Sequence, residues 1–204
     1  MHNSPLFPVS GEILPYDRSA VLYPDFLTSA EADQAFADIR DTTPWEEQTL
    51  TIFGRRVLEP RLSAWVSDGI SYTYSRTTRH PAQWTPILRD MRDRCEGATT
   101  ARFNGVLANY YRNGFDHMGW HADDEPANGP APIIASVSLG ATRRFDFRHN
   151  ETKEVVCVDL THGSLLVMSE LSQHRWKHRI PKTTRSPLPR INLTFRLVDP
   201  LWEP

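Results

Sequence analysis

The stretch "RINLTFRLV", residues 190–198, alternates polar and apolar side chains from Arg190 to Leu197. Successive side chains of a β-strand point to opposite faces, so this stretch predicts a strand with one core-facing side and one polar side. The apolar positions are Ile191, Leu193, Phe195 and Leu197. The polar positions are Arg190, Asn192, Thr194 and Arg196. Two arginines and an asparagine on one face can hold an anion, although a single strand of this kind more often exposes its polar side to solvent.

Five more runs with the same two-residue period precede this strand and predict further strands. They are "FNGVLANYY" (103–111), "IIASVSLG" (133–140), "RRFDFRH" (143–149), "EVVCVDL" (154–160) and "SLLVMS" (164–169). Turn residues separate these runs. Short strands in close succession, without helices between them, predict an antiparallel sandwich or jelly roll rather than a parallel sheet.

Two helices are predicted before these strands. The segment "TSAEADQAFADIR", residues 28–40, combines a Thr28–Glu31 capping box with apolar residues at helical spacing. The segment "WTPILRDMRDRC", residues 84–95, offers Thr85 as a cap and proline at the first helical position. The proline-containing first fifteen residues show no periodic pattern and predict an irregular arm.

The composition is typical of one globular domain, with 204 residues, 39% hydrophobic and 24% charged. No apolar run approaches the roughly 20 residues of a membrane helix, and the start of the chain lacks a signal-peptide pattern. We therefore expect the protein to remain where it is made. The two cysteines, Cys95 and Cys157, are interpreted as core residues without a disulfide, which fits a reducing compartment.

The distribution of charge leaves nucleic-acid binding open. A net charge of −2 excludes binding through global charge, but a local basic face is still possible. Arg55, Arg56 and Arg61 lie close together in the sequence, and residues 174–190 carry several lysines and arginines without an acidic residue. A solvated basic loop is the alternative interpretation of the second segment.

A candidate metal site lies in "NYYRNGFDHMGWHADDEP", residues 109–126. In an extended segment His121 and Asp123 project to the same side, so both can bind one ion. A second histidine would complete the two-histidine, one-carboxylate set of non-haem Fe(II) oxygenases, which leaves coordination positions open. His178 is the leading candidate, followed by His174.

Zinc hydrolysis is a competing hypothesis, in which the same ligands hold zinc and Glu125 acts as general base. That chemistry gives no role to Arg190 and Arg196. If the polar face of the last strand looked into the barrel, Arg196 could instead hold a carboxylate, with Asn109 and Tyr111 as further polar contacts.

Taken together, these motifs resemble the AlkB family of Fe(II)- and 2-oxoglutarate-dependent dioxygenases. The shared positions are Asn109-x-Tyr111, His121-x-Asp123, His178 and the run from Arg190 to Arg196. The resemblance implies an α+β fold with a double-stranded β-helix core over residues 103–204. It also implies a single catalytic domain over residues 1–204, in which residues 1–102 supply an N-terminal extension, helices and a substrate-recognition lid.

The resemblance assigns these residues to two ligands. It implies His121, Asp123 and His178 as Fe(II) ligands. It implies 2-oxoglutarate binding by Asn109, Tyr111, Arg190, Asn192 and Arg196, with the distal carboxylate on Arg196 and O2 as co-substrate.

The substrate implied by the resemblance is DNA that carries 1-methyladenine or 3-methylcytosine, from which the enzyme removes the methyl group. Residues 52–65 and 69–75 resemble the hairpin wedge and lid of the AlkB homologues that repair double-stranded DNA. Substrate contacts are expected from Phe53 as a wedge, Tyr74 stacking opposite His121, Tyr72 as a secondary contact, Glu125 accepting from an exocyclic amino group, and Asp124 paired with Arg61. RNA or protein substrates are alternatives within the family, and a non-catalytic jelly roll that binds alkylated nucleic acid is a further alternative.

The cellular setting follows only as an expectation. We expect a monomer without a membrane partner. Its location is expected to be cytoplasmic and nucleoid-associated if the source is bacterial, and nuclear if the source is eukaryotic.

Overall fold

Two antiparallel sheets pack against each other in the computed structural model, which describes residues 11–16, 19–52, 55–74, 77–99, 101–184, 188–199 and 201. The strands in these ranges are β1 (Gly11–Glu12), β2 (Ala20–Tyr23), β3 (Glu46–Ile52), β4 (Arg55–Ser67), β5 (Tyr72–Tyr74), β6 (Thr77–Arg79), β7 (Gly105–Tyr111), β8 (Met118–His121), β9 (Ile134–Gly140), β10 (Arg143–His149), β11 (Val155–Leu160), β12 (Ser164–Met168), β13 (Trp176–Ile180) and β14 (Arg190–Arg196). The helices are α1 (Ser29–Thr42), α2 (Pro86–Thr99) and α3 (Glu170–Arg175), with a 3₁₀ turn at Pro126–Asn128.

The larger sheet has eight strands in the order β1-β2-β12-β9-β14-β7-β4-β3. The smaller sheet has the order β11-β10-β13-β8, and β5 pairs with β6 in a separate hairpin. The expected N-terminal extension covers residues 1–102, and the expected core covers residues 103–204. Strands from both parts belong to the larger sheet, because β2 pairs with β12 and β4 pairs with β7. The N-terminal half of the chain therefore extends the sheet as well as supplying helices.

The alternation of β14 is confirmed and explains how the layers are arranged. Ile191, Leu193 and Phe195 are fully buried in a cluster with apolar residues of α1 and α2, so the helices cover this face of the larger sheet. The polar side of β14 is also buried, because the smaller sheet covers it. The prediction for Leu197 was wrong: this side chain is 41% exposed, since the strand ends at Arg196.

Both helices begin where the sequence predicts. Thr28 caps α1, its hydroxyl accepting from the Glu31 backbone while the Glu31 carboxylate accepts from the Thr28 backbone. The second helix begins at Pro86, with Thr85 Oγ1 accepting weakly from a backbone amide of the first turn at 3.4 Å. In the described ranges, the helices lack the combined length and apolar character that crossing a membrane requires.

Strands β8 and β13 were not predicted as strands, although they carry two of the candidate metal ligands. The interpretation of Cys157 as a core residue was also wrong, because its side chain is exposed. It lies on the outward side of β11, an edge strand whose inward side carries Val156 and Val158. Cys95 is buried in α2 as predicted, and neither cysteine forms a disulfide.

A close contact at Gly105 shapes the region behind the inter-sheet space. The Trp65 ring lies directly over this residue, at the position that a Cβ would occupy. Trp65 in turn stacks on Tyr72, with ring centroids 4.7 Å apart and planes inclined by 25°. Because Gly105 has no side chain, the Trp65 ring can lie against the backbone of β7, and Tyr72 stacks on the ring in that position.

We expect Gly105→Ala to destabilise the protein, because the added Cβ would lie 2.2 Å from Cη2 of Trp65. Overpacking of this kind costs about 1 to 3 kcal/mol. Gly97→Ala in α2 is the matched control, since nothing lies within 4 Å of its added Cβ. It should stabilise the helix by about 0.5 to 1 kcal/mol. Urea unfolding measures both changes, and shifts of the same sign would contradict the packing described.

Candidate active site

The pairing of β8 with β13 brings the candidate metal ligands together. His121 lies directly opposite His178 in the register, and the two ring centroids are 4.2 Å apart. Asp123 follows β8 by two residues, and its Oδ2 lies 3.8 Å from Nε2 of His178. One ligand atom from each residue lies within 4.8 Å of the others, so small side-chain rotations bring all three onto one ion. His174 is exposed, with its Nε2 3.0 Å from the Pro130 carbonyl oxygen, and does not join this group.

Hydrogen bonds hold the metal ligands in useful orientations. Nδ1 of His121 lies 2.9 Å from the Gly119 carbonyl oxygen, so Nδ1 carries the proton and the Nε2 lone pair remains available. The Asp123 backbone amide donates to Oε1 of Gln173 at 2.9 Å. Phe145 stacks against His178 with centroids 5.2 Å apart, which fixes the plane of that imidazole.

The electrostatic setting suits a divalent cation. Burial lowers the pKa of both imidazoles, and for His178 burial and the neighbouring His121 lower the pKa to about 3. Burial opposes ionisation of Asp123, but the charge of the buried Arg196 guanidinium outweighs it and lowers the pKa of this carboxyl. Near neutral pH the group therefore offers two neutral imidazoles and one carboxylate, the donor set that non-haem Fe(II) prefers.

Arg196 lies at the metal end of the inter-sheet space, with 1% of its surface exposed. Its Nη2 is 3.5 Å from Oδ1 of Asp123, and its Nη1 donates to the Tyr72 hydroxyl at 2.6 Å. Its Nη1 is also 3.9 Å from Oε2 of Glu125. This position differs from the expected one, in which Arg196 holds the distal end of a co-substrate away from the metal.

Arg190 occupies the opposite end of β14 and is equally buried. Its Nη2 donates to Ser138 Oγ at 2.9 Å, and its guanidinium lies 5.3 Å from the centroid of the Tyr111 ring. Within the described part of the chain, Nε and Nη1 of Arg190 have no hydrogen-bond partner. Burial lowers the pKa of Arg190 to about 10. A buried cation with two unsatisfied donors is suited to an anionic ligand.

A cavity beside the metal ligands joins these features. Its polar lining includes Asn109, Tyr111, Asn192, Thr194 and Arg196, together with Arg61 and Ser136. Arg190 contacts Tyr111 without itself lining the cavity. The structure thus brings four of the five predicted 2-oxoglutarate residues to one cavity wall and places the fifth next to it.

Several predicted substrate contacts are placed differently. The prediction that Arg61 pairs with Asp124 was wrong: Arg61 donates to Asn109 Oδ1 at 2.8 Å and pairs with Glu59 at 2.9 Å, while Asp124 is exposed. Tyr72 is 0% exposed and supports Arg196 from behind, so it presents no ring face to a base.

The remaining predicted contacts are only partly visible. Glu125 is half-buried, and its Oε2 accepts from Asn128 Nδ2 at 2.9 Å. Phe53 and the side chain of Tyr74 lie outside the described residues, so their roles stay predictions.

Glu59 was missed, because a lone acidic residue in a strand carries no sequence signal for a buried ion pair.

A jelly roll with two histidines and one carboxylate beside a buried arginine defines the class of non-haem Fe(II) oxygenases. Comparison with known proteins agrees: the model of the 2OG-Fe(II) oxygenase superfamily matches residues 19–196. The chain belongs to this superfamily and, within it, to the AlkB homologues. The name of this superfamily specifies iron and 2-oxoglutarate, and His121, Asp123 and His178 could hold the iron.

Individual relatives support this placement. The chain is 42% identical over 189 residues to human alpha-ketoglutarate-dependent dioxygenase alkB homolog 3, a match that covers 88% of this chain and 66% of that protein. It is 40% identical over 183 residues to mouse DNA oxidative demethylase ALKBH2, covering 84% and 77%. The solved structure of OsALKBH1 shares the fold, with a TM-score of 0.61, 17% identity and coverage of 90% of this chain and 99% of that one.

We expect His178→Ala to abolish tight binding of Co(II), used as an air-stable spectroscopic substitute for Fe(II), because one of three ligands is lost. His174→Ala is the matched control and should bind Co(II) as the unaltered protein does, since this ring lies outside the ligand group. Titration followed by visible absorption measures both affinities. Loss of binding in His174→Ala with retention in His178→Ala would refute the assignment.

Proposed function

We propose that this protein is an oxidative demethylase that removes methyl groups from 1-methyladenine and 3-methylcytosine in DNA. The observation that carries the proposal is the placement of the His121, Asp123 and His178 group beside a polar cavity, with one buried arginine at each end of β14. Such an arrangement can hold Fe(II) and a short dicarboxylate side by side.

The orientation of 2-oxoglutarate follows from the two arginines. Arg196 already contacts Asp123, so it is suited to the keto-acid end, which must lie near the metal. Arg190 has two free guanidinium donors within the described chain and stands beside Tyr111, so it is suited to the distal carboxylate. Asn109 and Asn192 line the cavity between these ends. Asn109 can donate an amide hydrogen to the bound diacid, whereas Asn192 already donates to Ser136 Oγ and to the Val137 carbonyl oxygen. We therefore assign the distal carboxylate to Arg190 instead of Arg196.

The chain's own residues hold and orient the reactants. His121, Asp123 and His178 would hold the metal, and Phe145 and Met118 contribute apolar lining that limits water near it. When bound, Fe(II), 2-oxoglutarate and O2 supply the oxidation of the N-methyl carbon, which ends with formaldehyde, succinate, carbon dioxide and the unmodified base. Glu125 is placed next to the metal end, where its carboxylate can accept from an exocyclic amino group of the base.

Nucleic acid as the substrate is supported by the surface next to the metal strand. Trp120 precedes His121 in β8, and the guanidinium groups of Arg148 and Arg179 each lie 4.4 Å from the centroid of its ring. Such a cluster offers positive charge to a phosphate backbone despite the net charge of −2. The names of the mouse and human ALKBH2 relatives point to DNA.

Double-stranded DNA is the form that we propose for the substrate. A methylated base must leave the stack to reach the metal, which costs a few kcal/mol, less when methylation has already weakened pairing. Strands β3 and β4 pair up to Ile52 and Arg55, so residues 53–54 connect them. An apolar wedge from this connection would offset the lost stacking in a duplex. The wedge itself, Phe53, lies outside the described residues.

The alternatives are less well supported. Zinc hydrolysis would leave the buried cation Arg190, whose Nε and Nη1 have no hydrogen-bond partner among the described residues, without an anion to bind. A binding module without catalysis would not need the ligand group of His121, Asp123 and His178, which is complete. An RNA or protein substrate is the alternative that the oligonucleotide assay below addresses.

We expect Arg190→Met to weaken 2-oxoglutarate binding by about 2 to 5 kcal/mol, because a buried carboxylate would lose its charge partner. Binding of Co(II) should be unchanged, since Arg190 is remote from the ligand group. Arg102→Met, which removes an exposed arginine paired with Glu96, is the control and should leave both affinities unchanged. Calorimetric titration of the Co(II)-loaded protein measures the effect. If Arg196→Met reduces 2-oxoglutarate binding and Arg190→Met does not, the orientation is reversed.

The proposed reaction is tested on oligonucleotides that carry one methylated base. We expect release of formaldehyde that depends on 2-oxoglutarate, and none from Asp123→Ala. Phe53→Ala should depress turnover of double-stranded DNA far more than turnover of single-stranded DNA, because a single strand has no gap to fill. Mass spectrometry of the oligonucleotide reports both rates. Equal losses on both forms, with a lower melting temperature, would show that Phe53 is a core residue and remove the support for duplex DNA.

A further inference from the structure

A buried ion network connects the β5–β6 hairpin with the wall of the co-substrate cavity. Glu59 of β4 lies between two arginines: its Oε2 is 2.9 Å from Nη2 of Arg61, and its Oε1 is 3.0 Å from Nη2 of Arg79. The side chains are 0%, 2% and 3% exposed, respectively. Arg79 belongs to β6 and also donates to Ser63 Oγ at 2.6 Å. The hairpin is therefore held to β4 by charges that water does not reach.

Stability alone gives a weak reason for such a network. Apolar side chains of similar volume often stabilise a core as well as a buried ion pair does, because three charges must lose their hydration. Among the side chains that the structure describes, this network places one carboxylate between two guanidinium groups. A positional role for Arg61 explains why charged residues are used here.

Arg61 fixes the orientation of a residue in the proposed co-substrate site. Its Nε donates to Oδ1 of Asn109 at 2.8 Å. A guanidinium can only donate, so the Asn109 amide must present its oxygen to Arg61 and keep both hydrogens of Nδ2 for other partners. Asn109 lines the cavity, so this amide group serves as a donor to a carboxylate there. With the opposite orientation, the oxygen of Asn109 would face the anion and repel it.

We propose that Glu59 and Arg79 are positioning residues for 2-oxoglutarate: they fix Arg61, which orients Asn109, and so link co-substrate affinity to the seating of the β5–β6 hairpin. This inference rests on the proposed function, because it takes 2-oxoglutarate as the ligand. The same hairpin begins with Tyr72, whose hydroxyl accepts from Arg196 at the metal end. The hairpin therefore contacts Arg196 at the metal end of the cavity and, through Glu59 and Arg61, Asn109 between its two ends. Coupling between substrate and co-substrate binding would be reciprocal.

The test uses Glu59→Gln, which keeps the shape of the side chain and removes its charge, and Arg79→Met, which removes the hairpin's cation. Binding of 2-oxoglutarate is measured by calorimetry on the full chain loaded with Mn(II). We expect each variant to weaken 2-oxoglutarate binding by about 3- to 30-fold while the affinity for Mn(II) stays unchanged. Arg79→Lys should restore part of the affinity. A general loss of structure would lower both affinities. Weaker binding of 2-oxoglutarate with unchanged affinity for Mn(II) therefore identifies a positional role.

Arg94→Met is the matched control, because Arg94 also pairs with two carboxylates, Glu31 and Asp90, but on the surface of α2. It should leave 2-oxoglutarate affinity unchanged. Unchanged affinity in Glu59→Gln and Arg79→Met, together with a clear loss in Asn109→Ala, would overturn this inference and leave the proposed function standing. If the unaltered protein does not bind 2-oxoglutarate, both fail. If Arg79→Met does not fold, the isosteric Glu59→Gln decides the question.

Discussion

The burial of the Arg196 guanidinium is the constraint on which the site and its surroundings depend. A cation removed from water must be compensated by anions and hydrogen-bond acceptors. Here these come from distant parts of the chain: Tyr72 from the hairpin, and Asp123 and Glu125 from the segment after β8. The compensation requires all of them to meet at the end of β14. The positive charge of Arg196 also lowers the pKa of the Asp123 carboxyl. The contact that compensates the buried cation therefore keeps a candidate metal ligand ionised.

One strand serves both the fold and the chemistry. The apolar side of β14 packs on α1 and α2, while its polar side faces the smaller sheet and supplies the cavity residues Asn192, Thr194 and Arg196. Because β14 lies between β9 and β7, it is held along its whole length by backbone hydrogen bonds. The arginines at its two ends are therefore fixed at a set separation, which a ligand of defined length can match.

The sequence predicts those parts of the structure that local patterns encode. Strict alternation in 190–196 and the Thr28–Glu31 capping box are local features, and both are confirmed. Strands β8 and β13 are short and rich in polar or aromatic side chains, so their pairing depends on neighbouring strands rather than on their own pattern. The ion pair of Arg61 could not be predicted, because the sequence does not say that Glu59, the one acidic residue of β4, is buried between Arg61 and Arg79. The exposure of Cys157 likewise depends on which strand forms the edge of the smaller sheet, and the pattern of β11 alone does not show this.

The central claim is that one cavity binds Fe(II) and 2-oxoglutarate together, with the co-substrate on the metal. Anaerobic addition of 2-oxoglutarate to the Fe(II)-loaded protein tests this most directly, because direct chelation produces a visible charge-transfer absorption band. The account predicts such a band in the unaltered protein at one equivalent of iron, and its absence in Asp123→Ala. A protein that binds Fe(II) and 2-oxoglutarate but shows no band would contradict the account, since the two ligands would then occupy separate places.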